Sequence, residues 1–212
     1  MNVIPKLYNS FFVLAICAFL PGCGQETAVE GTSEHTSHHS TTKELKELGG
    51  ALAIGAQSEP DTLKGSLKAE AHGKIGLAHL TMAYHSPAVR GRVIWGGLVA
   101  NNQVWVTGAH SATSLQTDHP ITIGGEQLLA GKYALFTIPG EQEWVVIINR
   151  NWNQHLTDDY AEAEDVVRFS IKPEFTDQHQ ERLRYEIVSK SEDKGAIVMT
   201  WDKLKLIFPV GT

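Results

Sequence analysis

Cysteine is nearly missing from this 212-residue chain: Cys17 and Cys23 lie close to its start, and none follows. A disulfide-stapled secreted domain needs paired cysteines within it, and a thiolate metal site needs them clustered. Both are excluded from residues 24–212. Basic runs are missing too. The 18 Lys and Arg stand against 24 Asp and Glu, for a formal net charge of −6. Nucleic-acid surfaces replace phosphate counterions with clustered Lys and Arg, so nucleic acid is not an expected partner. The apolar stretch at 11–20 (FFVLAICAFL) is about half of what a bilayer-spanning helix requires.

Residues 1–22 have the order of a secretory signal, with Lys6 as the positive region and 11–20 as the apolar one. Leu20-Pro21-Gly22-Cys23 follows and resembles the lipobox of bacterial lipoproteins. That resemblance implies a lipidated Cys23 as the mature N-terminus. One acyl chain holds a membrane marginally, at roughly 0.8 kcal/mol per buried CH₂, whereas two or three hold it durably. Gly24, where an aspartate would signal retention, implies the outer membrane by resemblance to enterobacterial sorting. The expected state is exported and anchored to a membrane through lipid.

Residues 24–42 (GQETAVEGTSEHTSHHSTT) contain no aromatic and only Ala and Val as apolar residues. Such a segment cannot offset its chain entropy and is expected to be a disordered tether, its ends on the order of 25 Å apart. His35, His38 and His39 read as polar linker, with a metal-collecting tract as the alternative. Thr41-Thr42-Lys43-Glu44 resembles a capping box and predicts a short helix with Leu45 and Leu48 on one face, stopped by Gly49-Gly50. The expected organisation is signal 1–22, anchor, tether and short helix 23–57, and one domain at 58–212.

From residue 58 the pattern becomes short strands and turns. Strands are expected at 75–84, 113–117, 121–123, 132–138, 144–149, 166–171, 184–189, 196–201 and 205–209. Leu80, Met82 and Tyr84 alternate with His79 and Thr81 in the first. Gly124-Gly125 predicts a two-residue hairpin turn of the primed type. Eight or nine strands without a long amphipathic helix predict an all-β domain, a β-sandwich or jelly roll. Trp95, Trp105, Trp144 and Phe136 read as core or sheet-face aromatics.

Several motifs then come in one order. They are Tyr84-His85-Ser86-Pro87, Gly91-Arg92-Val93-Ile94-Trp95-Gly96-Gly97, Val104-Trp105-Val106-Thr107-Gly108-Ala109-His110 and Ala112-Thr113. Ala130-Gly131-Lys132-Tyr133, Phe136-Thr137-Ile138-Pro139-Gly140, Asp165-Val166-Val167-Arg168 and Trp201 follow. Together they resemble the bacterial family called domain of unknown function 2911, over about residues 59–210. The resemblance implies an exported, often lipid-anchored, β-rich domain without an assigned activity. Commoner members resemble Y-S-R-P and W-R-T-G-A-N-E-A-T. Here Tyr84-His85-Ser86-Pro87 lacks the arginine, Val106 replaces another, and His110-Ser111 replaces Asn-Glu. With Gln154-His155-Leu156, this looks like a branch carrying G-A-H and Q-H-L together.

His85, His110, His119 and His155 fall next to Gly, Pro or Asp, in loops or at strand ends. Neutral imidazole binds Zn²⁺, Cu²⁺ or Fe²⁺, and a carboxylate can complete the set. Asp158 and Asp159 lie three and four residues past His155. A metal reading therefore uses His110, His155 and Asp159, with His85. No H-x-H or H-E-x-x-H spacing accompanies them, and His119 before Pro120 reads as turn chemistry. Arg90 and Arg92 could bind a carboxylate or phosphate, or form a sheet-edge salt bridge. Asp165 and Arg168 read as an ion pair. Ser111 and Ser114 lie near His110, but no G-x-S-x-G elbow or base-orienting acid supports nucleophilic catalysis. Three readings stay open. The first is a non-enzymatic domain binding a small ligand or envelope partner through His85, Arg92, Trp95, His110 and His155. The second is a metalloprotein, and the third an accessory subunit of an envelope complex.

Overall fold

A computed structural model describes residues 45–48, 51–58 and 61–212. The signal, Cys23 and the tether lie outside the described residues. Twelve strands follow in chain order: β1 (Leu45–Leu48), β2 (Ala51–Ile54), β3 (Leu67–Ile75), β4 (Ala78–Ser86), β5 (Thr113–Thr117) and β6 (Ile121–Ile123). Then come β7 (Glu126–Leu128), β8 (Gly131–Ile138), β9 (Trp144–Asn149), β10 (Asp165–Ile171), β11 (Glu174–Ser189) and β12 (Lys194–Gly211). Among the described residues the helical element is one 3₁₀ turn at Glu162–Glu164.

The larger sheet has the order β1-β2-β3-β4-β5-β8-β9-β10, and the smaller one β11-β12-β6-β7. All pairings are antiparallel except that of β2 with β3, which is parallel through Leu52 and Ala69. The two sheets share one core, as expected of a sandwich. Leu80, Met82 and Tyr84 face it from β4 and Leu115 from β5. Tyr185, Met199, Trp201, Leu206 and Phe208 face it from β11 and β12. Burying each such side chain contributes about 1.5–3 kcal/mol.

A smaller cluster of Val106, Ala112, Ala134, Phe136 and Ile147 occupies the opposite face of the large sheet. Alternation along β8 requires it, since Leu135 points into the main core while Ala134 and Phe136 point away. Tyr160 covers this cluster by packing edge-on against Phe136, centroids 5.3 Å apart. The segment between β9 and β10 is thereby held over that face.

The short helix expected around Leu45 and Leu48 is instead a strand. β1 pairs with β2, Leu45 opposite Ile54 and Leu48 opposite Ala51. One helical turn carries the full nucleation cost for few hydrogen bonds, whereas the hairpin gives both segments partners at once. Ile54 is buried in the main core. The strand expected at 75–84 begins at Ala78, because Ile75 ends β3 and Gly76, at φ 57°, makes the turn. The two strands expected at 196–201 and 205–209 are one, β12, which passes through Asp202 at φ 53°.

Segment 61–65 is pinned by Arg182, which is buried on β11. Its guanidinium holds Asp61 and donates to Leu63 O (2.7 Å), Gly65 O (3.1 Å) and Ser86 O (2.9 Å).

Candidate functional site

Two long segments, 87–112 and 150–161, are joined by backbone contacts. Ala112 N donates to Gln154 O (3.0 Å), Leu156 N donates to His110 O (2.6 Å), and Ser111 bridges to His155. Segment 87–112 is tied to both sheets. Val89 N donates to Glu181 O in β11, while Trp105 and Thr137 exchange bonds of 2.8 and 3.0 Å.

Backbone strain collects at this junction. Thr107 (φ 51°), His110 (φ 59°) and Leu156 (φ 48°) all sit in the left-handed region. For a β-branched residue such as Thr107 that conformation is a genuine outlier, of order 1–3 kcal/mol. It is over-determined by its partners. Tyr185 Oη and Thr113 Oγ1 donate to Thr107 O (2.8 and 3.0 Å), and the Thr107 and Thr137 hydroxyls lie 3.1 Å apart. Burial holds the Tyr185 phenol well above its ordinary pKa, so it remains a donor. Tyr84, pushed up to about 12 by burial, accepts from Tyr185 N (3.2 Å).

A groove of about 360 Å³ opens beside these residues. Val99, Val106, Trp105 and Trp201 give it apolar lining, while Leu98 and Leu156 stand exposed at it. Trp105 and Trp201 stack with centroids 6.0 Å apart and planes at 19°. Trp95 meets both edge-on, at 5.9 and 5.6 Å. Trp105 Nε1 donates to Gly108 O (3.1 Å). Among the described residues, Trp201, only 1% exposed, has no partner for its indole N–H. A buried donor left unpaired costs about 1–3 kcal/mol.

Arg92 and His110 add polar character to the groove. Arg92 Nε and Nη2 donate to Val89 O (3.1 Å) and Ala88 O (2.5 Å), which orients the guanidinium without neutralising it. Arg90 Nη2 likewise donates to a carbonyl, that of Leu63. The sheet-edge salt bridge expected for these arginines is therefore replaced by carbonyl contacts. Asp165 and Arg168 do pair, at 2.9 Å.

The sequence-predicted ligand cluster is partly assembled. Arg92 and His110 line the groove, and Trp95 packs against its two indoles. His85 meets His110 edge-on, centroids 5.1 Å apart, and burial, then the charges of His110 and Lys68, lower its pKa. His155 is exposed and bonds Asp158 through Nδ1 (3.0 Å). Asp159 is exposed and lends only its carbonyl, to Asn151 Nδ2 (3.3 Å). Among the described residues no three His, Cys, Asp or Glu come together as a metal site. His85, His110, His155 and Asp159 are thus not gathered as one ligand set.

His119 bonds Asp118 (2.8 Å), and Thr117 Oγ1 donates to His119 O (2.7 Å), the turn role expected of it. Hydrogen bonds from His119, then His79, hold the Asp118 carboxyl well below its usual range. Sequence reasoning missed Trp201, Leu98 and Leu156 as site residues. The available signal was two leucines in Gly- and Asp-rich loops, where no core requires them.

The family model described as a protein of unknown function (DUF2911) matches residues 66–210. No curated protein and no solved structure matches the chain. The matched residues run from β3 through all but the last residue of β12, and so take in the groove and both segments that build it. The chain belongs to the DUF2911 family.

Proposed function

We propose that this protein is a lipid-anchored cell-envelope protein whose sandwich binds a small amphipathic anion in the groove. The apolar body of the ligand lies against Trp105 and Leu98, and its acidic head is received by Arg92 and His110, with the Trp201 indole N–H as a further donor. The carrying observation is that, among the described residues, the buried Trp201 indole N–H has no partner and Arg92, which also lines the apolar groove, meets carbonyls and no carboxylate. Apolar pockets with a few convergent polar groups are the usual form of a small-molecule site. The strained residues beside it fit that reading, because strain persists where function selects it. Anchoring rests on Leu20-Pro21-Gly22-Cys23. On that reading the groove faces outside the cytoplasm, within reach of acyl and aromatic acids of the envelope.

The test is a titration of intrinsic tryptophan fluorescence with dodecanoate and with naphthalene-2-carboxylate. Saturable quenching is expected for both, weakened about tenfold in Arg92→Gln. Absence of any change up to millimolar ligand contradicts the reading. For the anchor, Cys23→Ser is expected to move the protein from the membrane fraction to the soluble one. An unchanged distribution counts against lipidation.

A further inference from the structure

His110 lines the groove, but its neighbour His85 lines a second cleft of about 240 Å³. This cleft lies on the outward face of the large sheet, and the sheet register explains its membership. Lys68 sits opposite His85, Glu70 opposite Ala83, and Ala83 opposite Ser114. These residues alternate with the inward Tyr84, Met82 and Leu115 and so project away from the core. Ser111, Ala112 and segment 152–154 supply the remaining wall, including Trp152, which is 39% exposed with Lys132 Nζ 4.0 Å from its ring centroid.

The charge in this cleft is unbalanced. Among the described residues neither Lys68 nor Lys132 pairs with a carboxylate. Glu70, the acid that lines it, is engaged by His72 Nε2 (2.9 Å). A second, independent observation comes from Gln154, which is 5% exposed and lines the same cleft. Its Nε2 donates to Asn151 O (2.6 Å), and a carbonyl can only accept, so the amide orientation is fixed. The opposite atom, Oε1, is buried without a donor among the described residues. The cleft therefore presents two unneutralised ammonium groups, one buried acceptor that requires an O–H or N–H, and an indole with apolar surface.

We propose that this cleft is a binding site for an acidic monosaccharide of the uronic acid class. Its carboxylate is received by Lys132 beside Trp152, a ring hydroxyl donates to Gln154 Oε1, and its C–H surface rests against Trp152, with Lys68 at the far end of the cleft. The proposal is independent of the amphipathic-anion reading, because it uses none of the groove's residues.

The test follows the indole ¹H–¹⁵N resonance of Trp152, assigned with Trp152→Phe, in the full chain in detergent. Glucuronate, glucose and acetate are titrated separately. Glucuronate is expected to shift the resonance saturably, with glucose and acetate each at least about tenfold weaker. Lys132→Gln is expected to weaken glucuronate about tenfold with an unchanged melting temperature. Arg92→Gln is expected to leave glucuronate binding unchanged. Acetate binding as tightly as glucuronate would mean a bare anion site and overturn the proposal, as would glucose binding equally well. No shift with glucuronate in the folded wild type overturns it outright.

Discussion

At the scale of single residues, the groove rests on residues held in backbone conformations they would not choose alone. His110 at φ 59° occupies a region that costs an L-residue about 1–2 kcal/mol and glycine almost nothing. His110→Gly is therefore expected to raise stability by roughly 0.5–1 kcal/mol in urea denaturation while weakening naphthalene-2-carboxylate. A destabilised variant would mean that the His85 contact outweighs the strain. Arg182 behaves oppositely. Its burial is tolerated only because Asp61 and three carbonyls surround it. Arg182→Met leaves Asp61 without its partner, and a loss of about 3–5 kcal/mol is expected.

His85 gives a pH dependence with a definite sign. Its pKa in the folded protein lies below the ordinary 6.5, through burial first and then the charges of His110 and Lys68. Between the folded value and 6.5 the unfolded chain binds more protons, so this contribution to stability is full above that window and declines as pH falls through it. Urea midpoints measured across the window are expected to fall less in His85→Gln than in the wild type. An identical decline in both would remove His85 from the account.

At the scale of elements, β4 was legible from apolar residues spaced by two. β5, β6, β8, β9 and most of β10 were legible as short segments set off by turn residues. β3 (LKAEAHGKI) was invisible because its inward positions include Ala and Gly. Gly73 faces Ile187, where a Cβ would lie 2.5 Å from that side chain. The closeness of the two sheets, which no local pattern encodes, selects those small residues. The Gly124-Gly125 hairpin was legible for its positive φ values, 61° and 92°. Its contact with Phe169 was not. A Cβ at Gly124 would stand 2.3 Å from the Phe169 ring, so Gly124→Ala is expected to cost about 1–3 kcal/mol through overpacking, read as a lowered urea midpoint. The site was half legible for a similar reason. Arg92 and His110 carry chemistry and attract attention anywhere, whereas Trp201 reads as one more inward strand residue. Its unpaired N–H emerges only from the packing of Trp95 and Trp105 around it.

At the scale of the whole molecule, a cysteine-free sandwich is stabilised by one apolar core between two sheets and a satellite core beneath segment 150–161. The satellite core fixes Gln154, Leu156 and their neighbours over a face that would otherwise be open sheet, and so gives both the groove and the polar cleft a wall. Net charge −6 leaves the surface acidic as a whole while Arg92, Lys68 and Lys132 remain at the two sites, an arrangement suited to selecting anions locally. The metal reading has its own check. Elemental analysis of the untagged protein is expected to find Zn, Cu and Fe well below one atom per chain. Near-stoichiometric metal lost in His110→Ala would reverse that.

The most direct test of the central claim is the indole ¹H–¹⁵N resonance of Trp201 during titration with naphthalene-2-carboxylate. If the groove receives an amphipathic anion, this resonance moves saturably and its exchange with water slows, while that of Trp144 stays in place. If naphthalene-2-carboxylate binds and the Trp201 resonance does not move, the site lies elsewhere and the account is wrong.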